Sequence, residues 1–255
     1  MQPGEVGTGD VVLVVLDART GRQVDLMPPG RRHLRVCVHV DAPGGLLGVR
    51  DLRILLVADV LLRAGEAQGL QVFLVRTGPE LTPHQAKALE QELIRYSVTP
   101  PAEAGLEPGA VDVHVASRTT RGQVPGSWWV RRRPVPLRSW WATARWIIWR
   151  SGWPCCPGLM LPQRGCRVKL ALAARTLAHY RTAVARWAHT PSSPVPEPLQ
   201  RRIRGAVAAD LDTPALVELL KEIESHPLLG DGARFETFAL VDRVLGVGLT
   251  RDIGR

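Results

Sequence analysis

Residues 34–75 read LRVCVHVDAPGGLLGVRDLRILLVADVLLRAGEAQGLQVFLV, and this stretch decides the fold. It opens with a β-branched run at 34–40 and turns at the glycines of 43–45. The apolar positions of 49–66 nearly encircle a helix, as in a helix buried against a sheet. A second β-branched run follows at 70–75. Strand, helix and strand in this order predict a βαβ unit, so we expect a parallel sheet with a helix packed on it.

Further elements are predicted on both sides of this unit. Strands are expected at 11–16 and 111–115. A helix is expected at 82–96, because Thr82 is a good N-cap, Pro83 suits the first helical position and Gln85 completes a capping box. After an aperiodic stretch, amphipathic patterns predict helices at 169–188, 198–209, 214–225 and 234–245, with Thr213 before Pro214 as a helix start. The chain therefore divides into an α/β region (1–117), an irregular segment (118–168) and a helical region (169–255).

The positive charge is concentrated in one part of the chain. Lys and Arg number 33 against 24 Asp and Glu, for a net charge of +9 over 255 residues. Between Asp112 and Glu197 there are 14 basic residues and no acidic one, so the remaining 19 basic and 24 acidic residues sum to −5. The high isoelectric point thus belongs to the middle of the chain, and the interpretation of nucleic-acid binding applies there.

Several broad classes of protein are excluded by composition. No apolar run approaches the roughly 18 to 20 residues that cross a bilayer. The beginning of the chain lacks the basic-then-apolar order of a secretory signal. The four cysteines are too few and too unevenly spaced for a disulfide scaffold, so reduced thiols are expected. A cytoplasmic protein without a transmembrane segment, and a monomer, is the resulting expectation.

A family resemblance is carried by the spacing of short motifs. Cys37 lies in the predicted strand 34–40, and the tetrapeptide 46–49 follows nine residues later at the start of a helix. The segments Ile54 to Arg63 and Gln71 to Arg76 continue the likeness, and so does Ala209 to Leu216, which reads ADLDTPAL. Phe235, Phe238, Asp242, Val244, Leu245 and Gly246 extend it in the tail. In these features the chain resembles a shortened class I cysteinyl-tRNA synthetase, the family that includes the cysteine ligase of mycothiol synthesis.

The resemblance implies a fold and a function. The expected fold is α/β, with a Rossmann-like parallel-sheet nucleotide-binding domain followed by a C-terminal all-α helical bundle that resembles the tRNA-binding domain. ATP and cysteine would be the small-molecule substrates, and tRNA or an amino sugar the acceptor. The nucleotide would lie against Leu46, Leu47, Gly48 and Val49, which stand where the family has its HIGH motif. Zinc would be held by Cys37, with Cys155 as a second ligand.

The catalytic residues of the family's signature motifs are missing. In the family the two HIGH histidines stabilise charge that develops on the ATP phosphates. Leu46 and Val49 replace them here and cannot donate a hydrogen bond, whereas Gly48 is kept either for close nucleotide approach or for packing. No KMSKS-like loop is recognisable, and only Lys169 lies near its expected place. We therefore assign no catalytic residue and expect no adenylate formation by this chain alone.

The sequence leaves open which residues would bind a metal ion. Cys155 or Cys156 together with Cys166 could complete a tetrahedral site with Cys37, but buried or idle thiols explain the same residues. His39 is interpreted as a strand-end side chain rather than a ligand. His114 is either a base or, as is usual for a single histidine beside a strand, structural.

Three interpretations compete for the central segment 118–168. Arg131, Arg132 and Arg133, interleaved with Trp140 and Trp141, would suit single-stranded RNA through phosphate pairing and base stacking. The same composition suits a membrane surface, or translated sequence without a selected function. Two hypotheses of function follow: a degenerate ATP-dependent cysteine ligase, and a non-catalytic synthetase paralogue or remnant that binds RNA.

Overall fold

The computed structural model describes residues 13–26, 32–40, 47, 49–103, 110–116, 128–130 and 165–254. The strands among them are β1 (Val14–Leu16), β2 (Gln23–Asp25), β3 (His33–His39), β4 (Gln71–Thr77), β5 (Ala102–Glu103), β6 (Val113–Val115) and β7 (Trp128–Val130). The helices are α1 (Val49–Glu66), α2 (Pro83–Arg95), α3 (Gly165–Trp187), α4 (Glu197–Ala208), α5 (Thr213–Ser225) and α6 (Asp231–Leu245). The protein is therefore α/β.

The main sheet has five strands in the order β5-β4-β3-β6-β7, and every neighbouring pair is parallel. From β3 the chain moves outward to β4 and β5 on one side, then returns to β6 and β7 on the other. The order therefore reverses between β3 and β6. In open parallel sheets, ligands bind beyond the carboxyl ends of the strands at this kind of reversal.

The two faces of β3 have different surroundings because side chains alternate along a strand. Leu34, Val36 and Val38 belong to the large apolar core that also contains α1. Cys37 lies on the other face, in a small separate cluster with Val75 and Val111. Cys37 therefore lies on the second face of the sheet, and polar side chains lie on that face with it.

Local sequence features explain why helices α1 and α2 form. In α1, Leu55 and Leu61 are 1 % and 0 % exposed. Burial of each such side chain contributes about 1.5 to 3 kcal/mol. In α2 the predicted capping box is present, since Thr82 accepts from the Gln85 N–H and the Gln85 side chain accepts from the Thr82 N–H.

Helices α3 to α6 pack against one another and against the α/β region. The contacts join α3 to α6, α5 to both α4 and α6, and α6 to α1. Tyr180 and Trp187 of α3 meet the ring of Phe238 edge-on, with centroids 5.3 and 5.0 Å away. One continuous core of buried apolar side chains thus runs from the sheet through α1 into these helices.

The turn after α6 is fixed by a partly buried carboxylate, Asp242. Its oxygens accept the backbone N–H groups of Val247 and Gly248 at 3.0 Å and of Leu249 at 2.8 Å. Arg181 of α3 is 8 % exposed and donates to the Val247 and Gly248 carbonyls, each at 2.8 Å. We call these residues the C-terminal junction. Both side chains bond only to backbone in these contacts, as expected for groups that hold a turn in place.

Helix α1 takes part in the same junction through Arg63. Its guanidinium donates to Asp59 at 2.7 Å and to the Ser97 carbonyl at 3.0 Å. Gly246 has a φ of +62°, and a Cβ there would lie 2.7 Å from Arg63 atoms. Glycine is required here both for its backbone conformation and for the space that Arg63 occupies.

Most predicted elements are confirmed: α1 has its predicted bounds, and the other described boundaries are shifted by up to four residues. Three short strands, β2, β5 and β7, were not predicted. The start of α5 was also assigned to the wrong cap, because Asp212 rather than Thr213 accepts the Ala215 N–H.

Candidate metal centre at the carboxyl edge of the sheet

Three side chains with metal-binding atoms meet where the strand order reverses. Cys37 and His39 are two residues apart on β3 and therefore point to the same face of the sheet. His114 of β6 is the direct Cα partner of Cys37 across the parallel ladder. Strand register therefore brings together residues that are far apart in the chain.

The atoms of this cluster are close enough to share one ion. The potential ligand atoms of Cys37, His39 and His114 all lie within 4.8 Å of one another. His39 Nε2 and His114 Nδ1 are 2.9 Å apart, so one ring donates a hydrogen bond to the other. The ring centroids are separated by 5.1 Å, with 38° between their planes. We call these three residues the Cys/His centre.

Burial determines the protonation states of His114 and Cys37. His114 is 4 % exposed. Burial lowers its pKa to about 4, with smaller contributions from the charges of His39 and Arg19. The imidazole is therefore neutral at pH 7 and has a lone pair to offer. Burial also raises the pKa of the Cys37 thiol to about 11.

A nucleophilic role for Cys37 does not fit these values. Reactive cysteines have a lowered pKa and a partly exposed sulfur beside a positive group. Cys37 is instead a buried free thiol, 7 % exposed, with a raised pKa. The pair of Cys37 and His114 therefore resembles a ligand set more than a cysteine–histidine catalytic pair.

The donor set suits zinc. Cysteine sulfur and histidine nitrogen are the ligands that zinc selects, and three protein ligands are typical of zinc sites that keep one position open. Val75 and Val111 pack around Cys37 and give the centre an apolar side. A metal ion bound by Cys37 would displace the thiol proton, so the raised pKa describes the metal-free protein.

An ion pair next to the centre holds the two strands in register. The Arg35 backbone N–H donates to Asp112 Oδ2 at 2.9 Å, and its Nε lies 3.4 Å from the same oxygen. Arg35 precedes Cys37 by two residues, and Asp112 precedes His114 by two. Since a slip of one residue would move Cys37 or His114 to the other face, this pair supports the geometry of the centre.

A pocket at the C-terminal junction is a weaker candidate. A cavity of about 470 Å³ lies at the C-terminal junction, lined by residues that include Arg63, Asp242 and Arg243. Arg63 and Asp242 are engaged with the protein's own backbone there. The polar groups of this pocket therefore stabilise the fold, whereas those of the Cys/His centre face one another.

The structure places only some of the predicted site residues. Cys37 lies in the centre. Leu47 is 7 % exposed, and Val49 begins α1, with its side chain outside the described residues. The following predicted residues also lie outside them: Leu46, Gly48, Cys155, Arg131, Arg132, Arg133, Trp140 and Trp141. The nucleotide-binding and RNA-binding assignments therefore stay predictions.

Two members of the centre were missed by sequence reasoning. His39 is indeed at the end of a strand, yet its ring faces His114 as well. The sequence signal for His39 was local, because this histidine lies two residues after a cysteine on one strand. His114 had no such signal, since it is 75 residues away and joins the centre only through sheet pairing.

In comparisons with known proteins, no family model matches the chain and no curated protein matches it significantly. None of the helices in the described parts of the chain is long and apolar enough to cross a membrane. Function is therefore inferred from the Cys/His centre and its position in the sheet.

Proposed function

We propose that the chain is a synthetase-like, zinc-binding protein that holds the ion through Cys37, His39 and His114. The observation that carries this proposal is the convergence of three ligand atoms within 4.8 Å, on one face of a parallel sheet. The position agrees with the general location of ligand sites in such sheets, at the reversal of strand order.

The synthetase-like part of the proposal is supported by topology and by motif position. The order β5-β4-β3-β6-β7 corresponds to the 3-2-1-4-5 order of a Rossmann-like sheet. Cys37 lies on the first strand of that order, where the resemblance expects a zinc ligand. Val49 begins the helix that the HIGH motif opens in the family. We infer that α3 to α6 correspond to the family's C-terminal helical bundle.

Zinc held by three protein ligands supplies Lewis-acid chemistry and keeps a position for a further ligand. The chain's own residues prepare the site. Buried His114 stays neutral and available as a ligand, and the ring of His39 is oriented by its hydrogen bond. Arg35 and Asp112 fix the strand register, and the apolar neighbours of Cys37 exclude water from one side.

Zinc content tests this proposal directly. We expect purified, zinc-reconstituted protein to retain one ion per chain after exhaustive dialysis, as measured by mass spectrometry of the metal. Cys37→Ser and His39→Ala should lose it. His33→Ala is the matched control, because His33 lies at the other, exposed end of β3. Wild-type protein without zinc, or Cys37→Ser protein with a full equivalent, would overturn the proposal.

The spacing of Cys37 and the tetrapeptide 46–49 raises cysteine activation as a separate question, and we propose that this activity has been lost. With leucine and valine in the histidine positions, we expect ATP–pyrophosphate exchange with cysteine to stay at background. A zinc-loaded, folded protein with exchange above background would instead establish a ligase. The zinc proposal survives either result, because it concerns binding rather than adenylate formation.

RNA binding through the central segment remains the alternative function. Its residues lie outside the described part of the chain, so only the charge distribution supports it. If phosphate pairing dominates, affinity for single-stranded RNA should fall by roughly one log unit per log unit of salt for each phosphate neutralised. Replacement of Arg131, Arg132 and Arg133 together should reduce that slope.

A further inference from the structure

The Cys/His centre has three ligands, and none of them is a carboxylate. Among the residues that the structure describes, the metal-binding group at this place consists of Cys37, His39 and His114. Asp112 lies close in the sheet, but it is paired with Arg35 and does not belong to the group. Histidine binds a metal as the neutral imidazole and cysteine as the thiolate. An ion in the centre is therefore held by one negative charge.

This single ligand charge favours a monovalent ion over a divalent one. A divalent ion bound by one thiolate and two imidazoles keeps a net positive charge, whereas Cu⁺ in the same ligand set forms a neutral complex. Cys37 and His114 are buried, and Val75 and Val111 pack against the cysteine. Because a net charge is costly in such a poorly solvated place, burial favours the neutral copper complex.

The type and number of ligands also suit copper. Soft thiolate ligands select Cu⁺ as well as zinc, and imidazole binds both metals. Zinc takes four ligands in its usual tetrahedral sites, and the described residues supply three. One cysteine with two histidines in a trigonal array is instead a ligand set of copper proteins, in which a further ligand is weak and long. The three side chains are therefore an incomplete set for zinc and a complete one for copper.

The spacing of the two histidine nitrogens fits a shared ion. His39 Nε2 and His114 Nδ1 are 2.9 Å apart. Two nitrogens that each lie about 2.0 Å from one ion are about 3.5 Å apart in a trigonal plane. The rings therefore need to separate by a small distance only, at the expense of the hydrogen bond between them.

We propose that the Cys/His centre also binds Cu⁺, as a neutral three-coordinate complex, and that Cu⁺ displaces zinc from it. This inference rests on the proposed zinc site and names a second ion that competes for it. Three protein ligands complete the coordination of Cu⁺, so no position stays open for a further ligand. Copper thus regulates the centre, because it closes the position that zinc leaves open.

The test adds one equivalent of Cu⁺, under nitrogen and as a weak acetonitrile complex, to zinc-loaded protein. A chromogenic chelator measures the zinc that is released. We expect release of about one equivalent per chain, since thiolate and burial both favour copper. Copper X-ray absorption on the product should show one sulfur and two nitrogen neighbours.

The other thiols of the chain need a control, because they are also potential copper ligands. The side chains of Cys155, Cys156 and Cys166 lie outside the described residues. A variant with serine at all three positions should release zinc as wild type does. Cys37→Ser in that background should bind neither metal. His33→Ala is the matched control at the exposed end of β3 and should exchange as wild type, and thermal unfolding should confirm that each variant is folded.

The possible results separate this inference from the zinc proposal. Zinc that stays bound in the presence of equimolar Cu⁺ would overturn the inference and leave the zinc site standing. Exchange in wild type but not in the triple serine variant, or copper with more than one sulfur neighbour, would assign the copper to other thiols and also overturn it. One equivalent of Cu⁺ in protein that never retains zinc would support the copper site and end the zinc proposal. Protein that binds neither ion would overturn both.

Discussion

The C-terminal junction and the Cys/His centre are both polar and largely shielded from solvent, but their polar groups bond to different partners. At the junction, Asp242 accepts three backbone N–H groups and Arg181 donates to two carbonyls. At the centre, His39 and His114 bond to each other, and Cys37 contributes a protonated thiol in an apolar setting. Burial alone therefore does not distinguish a structural cluster from a functional one.

The identity of the partner does distinguish them. Polar side chains that satisfy buried backbone groups are needed in every state of the folded protein. The printed contact between His39 and His114 instead joins two potential metal ligands, so substitution there removes part of a ligand set. The comparison predicts that substitutions at the junction change the free energy of unfolding, and substitutions at the centre change metal affinity.

The largest effect is expected at Asp242. Asp242→Ala leaves three backbone N–H groups without their acceptor, and we expect a loss of about 3 to 5 kcal/mol in the free energy of unfolding. Asp242→Asn should cost less, since one amide oxygen can still accept from Val247 and Gly248. Urea unfolding measures both values. Arg243→Ala changes the neighbouring exposed residue and should be nearly neutral. Equal losses in Asp242→Ala and Arg243→Ala would end the structural account of the junction.

The centre should contribute to stability only through its metal. Zinc at about 100 times its Kd should raise the free energy of unfolding of wild-type protein by about 2.7 kcal/mol. His39→Ala should unfold close to the metal-free wild type and gain nothing from zinc, whereas His33→Ala should gain as wild type does. Thermal unfolding with zinc or with a chelator checks this. A zinc-independent loss in His39→Ala as large as that of Asp242→Ala would remove the difference between the two regions.

The junction can be probed more finely through glycine. Gly246→Ala combines a left-handed backbone with a clash against the tethered Arg63 side chain. Gly69 has a φ of +80° and open space around its Cβ position, so Gly69→Ala isolates the backbone cost. We expect about 1 to 2 kcal/mol for Gly69→Ala and a larger loss for Gly246→Ala. If chemical denaturation gives the same value for both, Arg63 is not held as the structure indicates.

The smallest effect concerns a surface feature that belongs to neither region. Thr82→Ala removes the N-cap of α2 and should cost about 1 kcal/mol, without altering metal affinity. Thr182→Ala, in the middle of an exposed face of α3, is the comparison for loss of a hydroxyl outside a cap. A loss of zinc in Thr82→Ala would indicate that the centre depends on α2, contrary to the geometry.

The elements with strong local patterns were predictable from the sequence. Helix α1 was predicted at its observed bounds, and α2 through its capping box, because apolar period and cap chemistry are local. Strands β2, β5 and β7 have two or three residues each and therefore too few positions for a periodic signal. Their existence depends on neighbours in the sheet.

The candidate site was only partly predictable for the same reason. Cys37 was singled out only through the family resemblance, by its spacing from the tetrapeptide 46–49. His114 joins it because β6 pairs in parallel with β3 at one particular register, and no local pattern contains that information. The carboxylate of Asp242 was noted only as part of a resemblance, since its role depends on the turn that follows α6.

Cobalt absorption tests the central claim most directly, because it reports both the number of ions and the identity of a ligand. We predict that titration of metal-free protein with Co²⁺ saturates at one ion per chain, with a thiolate-to-cobalt charge-transfer band and the visible bands of a tetrahedral site. In Cys37→Ser the charge-transfer band should disappear. Saturation without that band, or an identical spectrum in Cys37→Ser, would contradict the assignment of Cys37, His39 and His114 as a metal centre.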